Sequence, residues 1–272
     1  MANIKGRLVM SNIANLITLP LFLSAIIVEI IDIIKNPNSV YQNIWGIFRY
    51  FSYDGSILSF IISIIMFINY YKALKLQIDD ETFRDKALSQ YIYIISLISA
   101  CNEIIIFLTA IILIFYPISS AVWHEEFKSS YKTVVIHEFI PFIIIVRFII
   151  FDTRKRDLKL YEKFIGGLFI SVYLSIILSL CGGKVFTSFD KTEGDGKIPY
   201  PFFDFYHEPW YVCLSISLFL IAFGIGFGVL LDFLNKKVER SFLLREQRRK
   251  EEEERLAREN QRLFVESAAQ GY

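Results

Sequence analysis

WYVCLSISLFLIAFGIGFGVLLDF, residues 210–233, carries a single charged residue, Asp232, one position from its end. At about 1.5 Å of rise per residue, a helix of this length reaches roughly 36 Å, enough to cross ~30 Å of hydrocarbon. Blocks of the same kind stand at about 12–34, 50–71, 89–116, 133–151 and 164–181. An open sheet cannot satisfy its backbone groups in lipid, so six such blocks imply helices.

The chain has 272 residues, of which 54% are hydrophobic and 26 are Phe. The expected fold is therefore all-α: a polytopic six-transmembrane-helix bundle over residues 1–234, followed by a charged helical tail over 235–272. A net charge of +1 spread between apolar blocks points to membrane lipids as the surroundings, with no nucleic-acid partner expected. Three cysteines make no disulfide framework. Cys181 and Cys213 fall near one membrane face, where either a bridge or free thiols fits. The first apolar block is too long for the core of a cleavable signal and reads as a signal anchor.

Orientation follows from Lys and Arg in the connections. The N-terminal segment, the second and fourth connections and the tail hold 21 of them, against 7 in the first, third and fifth connections. Both ends are thus expected in the cytoplasm, in a bacterial inner membrane or in an endoplasmic reticulum or plasma membrane. Trp45, Trp123 and Trp210 all fall at expected outer helix ends, the headgroup level that indoles favour. Gly224 and Gly228 form a GxxxG pair suited to close helix packing. In the tail, Glu246–Lys250, Glu251–Arg255 and Glu254–Arg258 are i,i+4 pairs. No apolar residue lies between Leu244 and Leu256, so a coiled-coil seam is interrupted. A solvated extension of the sixth helix is expected, with weak self-association through it as the alternative.

Ionisable groups inside a span are functional hypotheses by default. His137 and Glu138 lie about a turn below the outer end of the fourth block, and Pro141 frees the His137 carbonyl from its helical hydrogen bond. Ser52 and Asp54 open the second block. Asn102 and Glu103 sit near the middle of the third. Arg147 lies about a turn from the inner end of the fourth, where snorkelling to the headgroups is expected. Each of His124, His137 and His207 is followed by Glu, but Pro141 occupies the position of the second His in an HExxH site, and no metal or other cofactor is assigned.

Three stretches share the expected outer face: RYFSYDGSIL (49–58), VVIHEFIPFIII (134–145) and PYPFFDF (199–205). In order and placement they resemble the androgen-induced and androgen-dependent family of six-helix membrane hydrolases, and a bacterial six-helix family of unassigned function. The resemblance covers roughly residues 10–234. It implies hydrolysis of a lipid (fatty-acid) ester, with Ser52 in place of the family's threonine nucleophile and His137 as base. Asp54 and Glu138 stand beside that pair, and Tyr200, Pro201 and Asp204 would roof the cleft. Glu103 is too deep to serve as a third member and would orient the bundle or face a polar cavity, and Asn102 beside it is a candidate supporting residue. The competing reading is non-enzymatic: a proton or small-solute pathway using Glu103, Asn102 and Arg147, or a scaffold acting through the tail.

Overall fold

The computed structural model describes residues 4–35, 51–76, 80–115, 131–182 and 209–270. Trp45, Trp123, His124, Tyr200, Pro201, Asp204, His207 and the side chain of Cys181 lie outside the described residues. The described chain is helical, with no strand. We number the helices α1 (Ile4–Lys35), α2 (Phe51–Lys75), α3 (Asp80–Ala87), α4 (Gln90–Phe115), α5 (131–151), α6 (160–182) and α7 (Trp210–Gln270). α3 is a short connector, and the other six are longer. Among the described residues, five of them (α1, α2, α4, α6 and α7) contain segments long and apolar enough to cross a membrane.

α5 falls short of that test because it is not one regular helix. It runs Tyr131–Val134, a π-turn over Val135–Phe139, a regular stretch Ile140–Val146 and a second π-turn over Arg147–Phe151. The cause of the first π-turn is local. Pro141 has no N–H to donate and its ring crowds the preceding turn, so the ladder widens before it, and Ile140 N–H bonds the Val135 carbonyl five residues back. The second closes the same way, with Asp152 N–H on the Arg147 carbonyl at 3.1 Å.

α1 begins eight residues earlier than the expected span, so Arg7 is helical. α2 starts at Phe51 with Asp54 in its first turn, where a carboxylate suits the positive end of the helix dipole. The interior is apolar in three clusters. The largest joins α1, α2, α4 and α5 through Phe22, Tyr53, Leu97, Ile136 and Ile144. α6 crosses α7 at glycines, as the GxxxG pair predicts. A Cβ on Gly166 would stand 2.9 Å from the Gly228 Cα, and one on Gly228 would collide with the Lys163 carbonyl.

The tail continues α7 without a break. Residues 247–263 are exposed throughout, and ion pairs along it include Arg258–Glu254 at 3.2 Å and Arg262–Glu266 at 2.8 Å. Of the three expected pairs, Glu254–Arg258 is the one formed among the described residues. This part of α7 is an exposed helical extension of the sixth long helix.

Candidate functional site: a polar spine through the bundle

At one end of the bundle the start of α1, the ends of α2 and α5, the starts of α4 and α6 and the middle of α7 converge on buried charge. The residue at its centre corrects an expectation. Arg147 is fully buried and turned inward. It does not snorkel, because partners from three helices meet it there. Its guanidinium donates to Ser96 Oγ at 3.0 Å (α4), to Ser63 Oγ at 3.3 Å (α2) and to Asn15 Oδ1 (α1). Asp152, also fully buried, stands 3.7 Å from Arg147 Nε and accepts from Ser11 Oγ at 2.6 Å and from Ser96 Oγ.

The carbonyls that α5 leaves open at its C-terminus are capped by side chains from elsewhere. Asn235 Nδ2 donates to the Phe148 carbonyl at 2.7 Å and the Asp152 carbonyl at 2.8 Å. Arg7 donates to the Ile150 carbonyl at 3.0 Å and the Asp152 carbonyl at 2.9 Å. Arg154, just past the helix, bonds Glu239 at 2.9 Å, Asp232 at 3.1 Å and Asn235 Oδ1 at 3.1 Å. Burial acts to lower the pKa of Arg154, but the charges and hydrogen bonds around it, from Tyr93, Glu239 and Asp232, outweigh that and raise it. Lys163 adds a 3.0 Å contact to Asp232, and Arg84 a 2.7 Å bond to Glu239.

From this hub a polar line runs inward between α2 and α4. On α2 it is Ser63, Ser59 and Ser56, and on α4 Ser96, Ser99, Asn102 and Glu103, all fully buried. Successive spacings of three or four residues keep each set on one helix face. Ser99 Oγ donates to Ser59 Oγ at 2.9 Å. Gly55 lets α4 approach, since a Cβ there would meet Ile106 at 2.9 Å and the Asn102 Cβ at 3.8 Å. Ser59 stands within hydrogen-bonding reach of the Glu103 carboxyl, and the Arg147 charge acts on it from further off. Yet both Glu103 oxygens, both polar atoms of the Asn102 amide and Ser56 Oγ complete no hydrogen bond of ordinary geometry among the described residues. Native interiors rarely leave one such atom unpaired, and here five meet at one interface.

One turn beyond Ser56, Tyr53 Oη donates to Glu29 Oε2 at 2.7 Å. Glu29 is fully buried and its Oε2 lies 3.0 Å from Lys132 Nζ, which also bonds Asp32 at 2.7 Å. Arg7 and Glu29 are 22 residues apart on α1, about 33 Å of helix. The polar groups thus span the whole apolar thickness that a bilayer presents.

Ser52 and His137 are both half-buried, at the end of the bundle opposite the hub. The first turn of α2 packs against the π-turn that carries His137, through the cluster that joins Tyr53 to Val135 and Ile136. No Ser52–His137 hydrogen bond is among those the described residues form. Asp54 and Glu138 are half-buried nearby. Asn102 faces Gly55, three residues along α2 from Ser52, where an added Cβ would stand 3.8 Å from the Asn102 Cβ. Among the described residues no group of three potential metal ligands comes together.

Sequence reading passed over Glu29, Tyr53, the serine stripe and the α7 trio Asp232, Asn235 and Glu239. A signal was there. Arg7, Ser11, Asn15, Thr18 and Glu29 recur on one face of α1, and Ser56, Ser59 and Ser63 on one face of α2. Polar stripes at helical spacing inside apolar blocks must face protein. Comparison of the chain with protein-family models, with curated proteins and with solved structures finds no match in any of the three.

Proposed function

We propose that the chain is a six-span membrane protein with both ends in the cytoplasm, and that its spine carries protons across the bundle. The spans and the orientation rest on the apolar blocks and the charge tally, together with the gathering of Arg7, Arg84, Arg154 and Lys163 at one end. The proton reading rests on a single observation: Glu103, fully buried at mid-bundle with Ser59 within reach of its carboxyl, beside Asn102 and Ser56 and in line with the Ser59–Ser99 bridge.

A carboxyl group in such a setting exchanges a proton more readily than it stands permanently charged, because an isolated buried carboxylate is costly. Hydroxyls at one-turn intervals can accept and donate in sequence. Glu29 and Asp152 supply acceptors toward the two ends. The test is purified protein in liposomes with an internal pH dye and a potassium-set potential. Proton uptake above empty liposomes, abolished in Glu103→Gln and kept in Ser52→Ala, supports the reading. Uptake equal to that of empty liposomes under either polarity sinks it.

A second reading is favoured by the packing of α2 on the π-turn of His137. Ser52 would attack a lipid ester as nucleophile with His137 as base, as the resemblance to the membrane hydrolases implies. Labelling by a fluorophosphonate probe, lost in Ser52→Ala and in His137→Ala, would support it. Full ester turnover in both variants would remove it.

A further inference from the structure

We infer that the outward face of α7 just past the bundle binds anionic phospholipid headgroups of the adjoining leaflet. Trp210 and Lys237 are 27 residues apart on one uninterrupted helix. That is about 40 Å, close to the ~40–45 Å of a bilayer with its headgroups. With Trp210 at one interface, Lys237 and Arg240 therefore emerge in the opposite headgroup layer.

The face is built for that layer. Phe233, Lys237, Arg240, Leu244 and Arg248 recur at three- and four-residue spacing, so they share one side of the helix. Phe233 and Leu244 are 57% and 56% exposed. Phe233, one turn before Lys237, suits the boundary between acyl chains and phosphates, and Leu244 lies further out on the same face. Glu239 points the other way and is held by Arg84 and Arg154, while Asp157, whose charge also reaches Arg240, is bonded by Lys236. Lys236 is occupied by Asp157. Lys237, Arg240, Arg245 and Arg248 make no ion pair among the described residues.

The neighbouring connection adds to the same level. The Lys236–Asp157 contact brings residues 152–159 beside α7, with Lys155 and Lys159 exposed. Further along the tail the excess disappears, because Arg249, Arg258 and Arg262 pair with Glu253, Glu254 and Glu266. Over residues 251–266 acids outnumber cations six to three, so the net positive charge lies in the turns nearest the bundle, where Lys237 and Arg240 are within a Debye length of ~8–10 Å of a surface that can use it. This inference rests on the chain being a membrane protein, and it stands or falls independently of the proton pathway.

The test is native mass spectrometry of the full chain in a neutral detergent. Phosphatidylglycerol is titrated against phosphatidylcholine with the same acyl chains. The expected result is selective, salt-sensitive retention of phosphatidylglycerol. Removing the two cations in K237Q/R240Q should weaken it about 25-fold, at roughly fivefold per cation. Both side chains are exposed, so folding is kept, and an unchanged far-UV circular dichroism spectrum confirms that. R258Q/R262Q, the same charge change far along the tail, should leave affinity as it was. Equal retention of the two lipids, or equal weakening by the distal pair, overturns the proposal. So does a short single-stranded oligonucleotide that binds the full chain and displaces phosphatidylglycerol, since the face is then a general polyanion surface.

Discussion

The Arg147 guanidinium bonds the Ser96 hydroxyl at 3.0 Å, and Ser96 in turn bonds Asp152, so α4 and both sides of the second π-turn of α5 are tied through one serine. Taking both charges out of water is expensive, and their attraction alone does not guarantee a net gain. The arrangement matters most when one partner is removed. Arg147→Met leaves Asp152 buried with its hydroxyl donors but no cation. We expect a loss of about 3–5 kcal/mol, read as a large fall in the detergent thermal midpoint. Arg147→Lys keeps the charge but cannot reach Asn15, Ser63 and Ser96 together, and should fall between the two. A midpoint for Arg147→Met equal to the parent would contradict the inward placement.

Asn235 caps the α5 terminus with its amide nitrogen and receives Arg154 and Tyr93 on its amide oxygen. Asn235→Ala orphans donors and acceptors on both sides. The expected cost is about 1–3 kcal/mol. Asn235→Asp should be no milder, because a carboxylate turns acceptors toward the carbonyls of Phe148 and Asp152. Hydrogen exchange offers a local check: the amides of 147–154 should lose protection before those of α2.

The long helices were legible in the sequence because apolar runs of that length have one solution in lipid. Their bounds differ most where polar residues made the apolar signal stop too soon. α1 extends back through Lys5 and Arg7 because Arg7 faces the charged hub and Lys5 lies over the Phe83 ring, charges that a hydropathy window counts against a span. The regularity of α5 was harder to read. Pro141 announced one distortion, but nothing of the kind marks the π-turn at Arg147, which depends on Asn235 and Arg7 arriving from distant parts of the chain. For Arg147 itself the sequence pointed the wrong way. An arginine one turn from a helix end snorkels by default, and only tertiary partners reverse that.

Gly228 offers a steric prediction. Its missing Cβ is what lets the Lys163 carbonyl and the Gly166 backbone sit against α7. Gly228→Ala should cost about 1–3 kcal/mol through overpacking, despite alanine's better helix propensity. Gly226, with nothing within 4 Å of an added Cβ, is the control. Gly226→Ala should be neutral or slightly stabilising. Thermal midpoints of the two variants in one detergent decide the matter, and a Gly228→Ala midpoint at or above that of Gly226→Ala would mean the crossing is looser than described.

Asp157 gives a pH prediction outside the spans. Its hydrogen bond from Lys236 holds its carboxyl below the ordinary aspartate value. A depressed folded value means the contribution is full above the unfolded pKa of ~3.9 and fades as pH falls through the folded one. Because Asp157 is 61% exposed, water and salt screen the pair to about 0–1 kcal/mol. Asp157→Asn should therefore lower the midpoint slightly at pH 7, and the gap should narrow as pH falls below the unfolded value of ~3.9. A gap that widens on acidification would show that the pair is not what holds the connection to α7.

Glu103 is where structure and chemistry are most closely joined, because stability and conduction should move in opposite directions. Both its oxygens, and both polar atoms of neighbouring Asn102, are buried and complete no hydrogen bond of ordinary geometry among the described residues, with Ser59 in reach of the carboxyl. Replacing the acid by a shape-matched apolar residue removes an uncompensated polar group, a change that is commonly neutral or stabilising. Glu103→Leu should thus hold or raise the thermal midpoint while ending proton uptake in liposomes. Glu103→Asp keeps the chemistry but shortens the reach to Ser59, and should retain partial uptake. A purely structural acid gives the reverse pattern, with Glu103→Leu less stable. Measuring midpoint and uptake on the same three preparations separates the two roles, since a residue kept for packing cannot lose function while gaining stability.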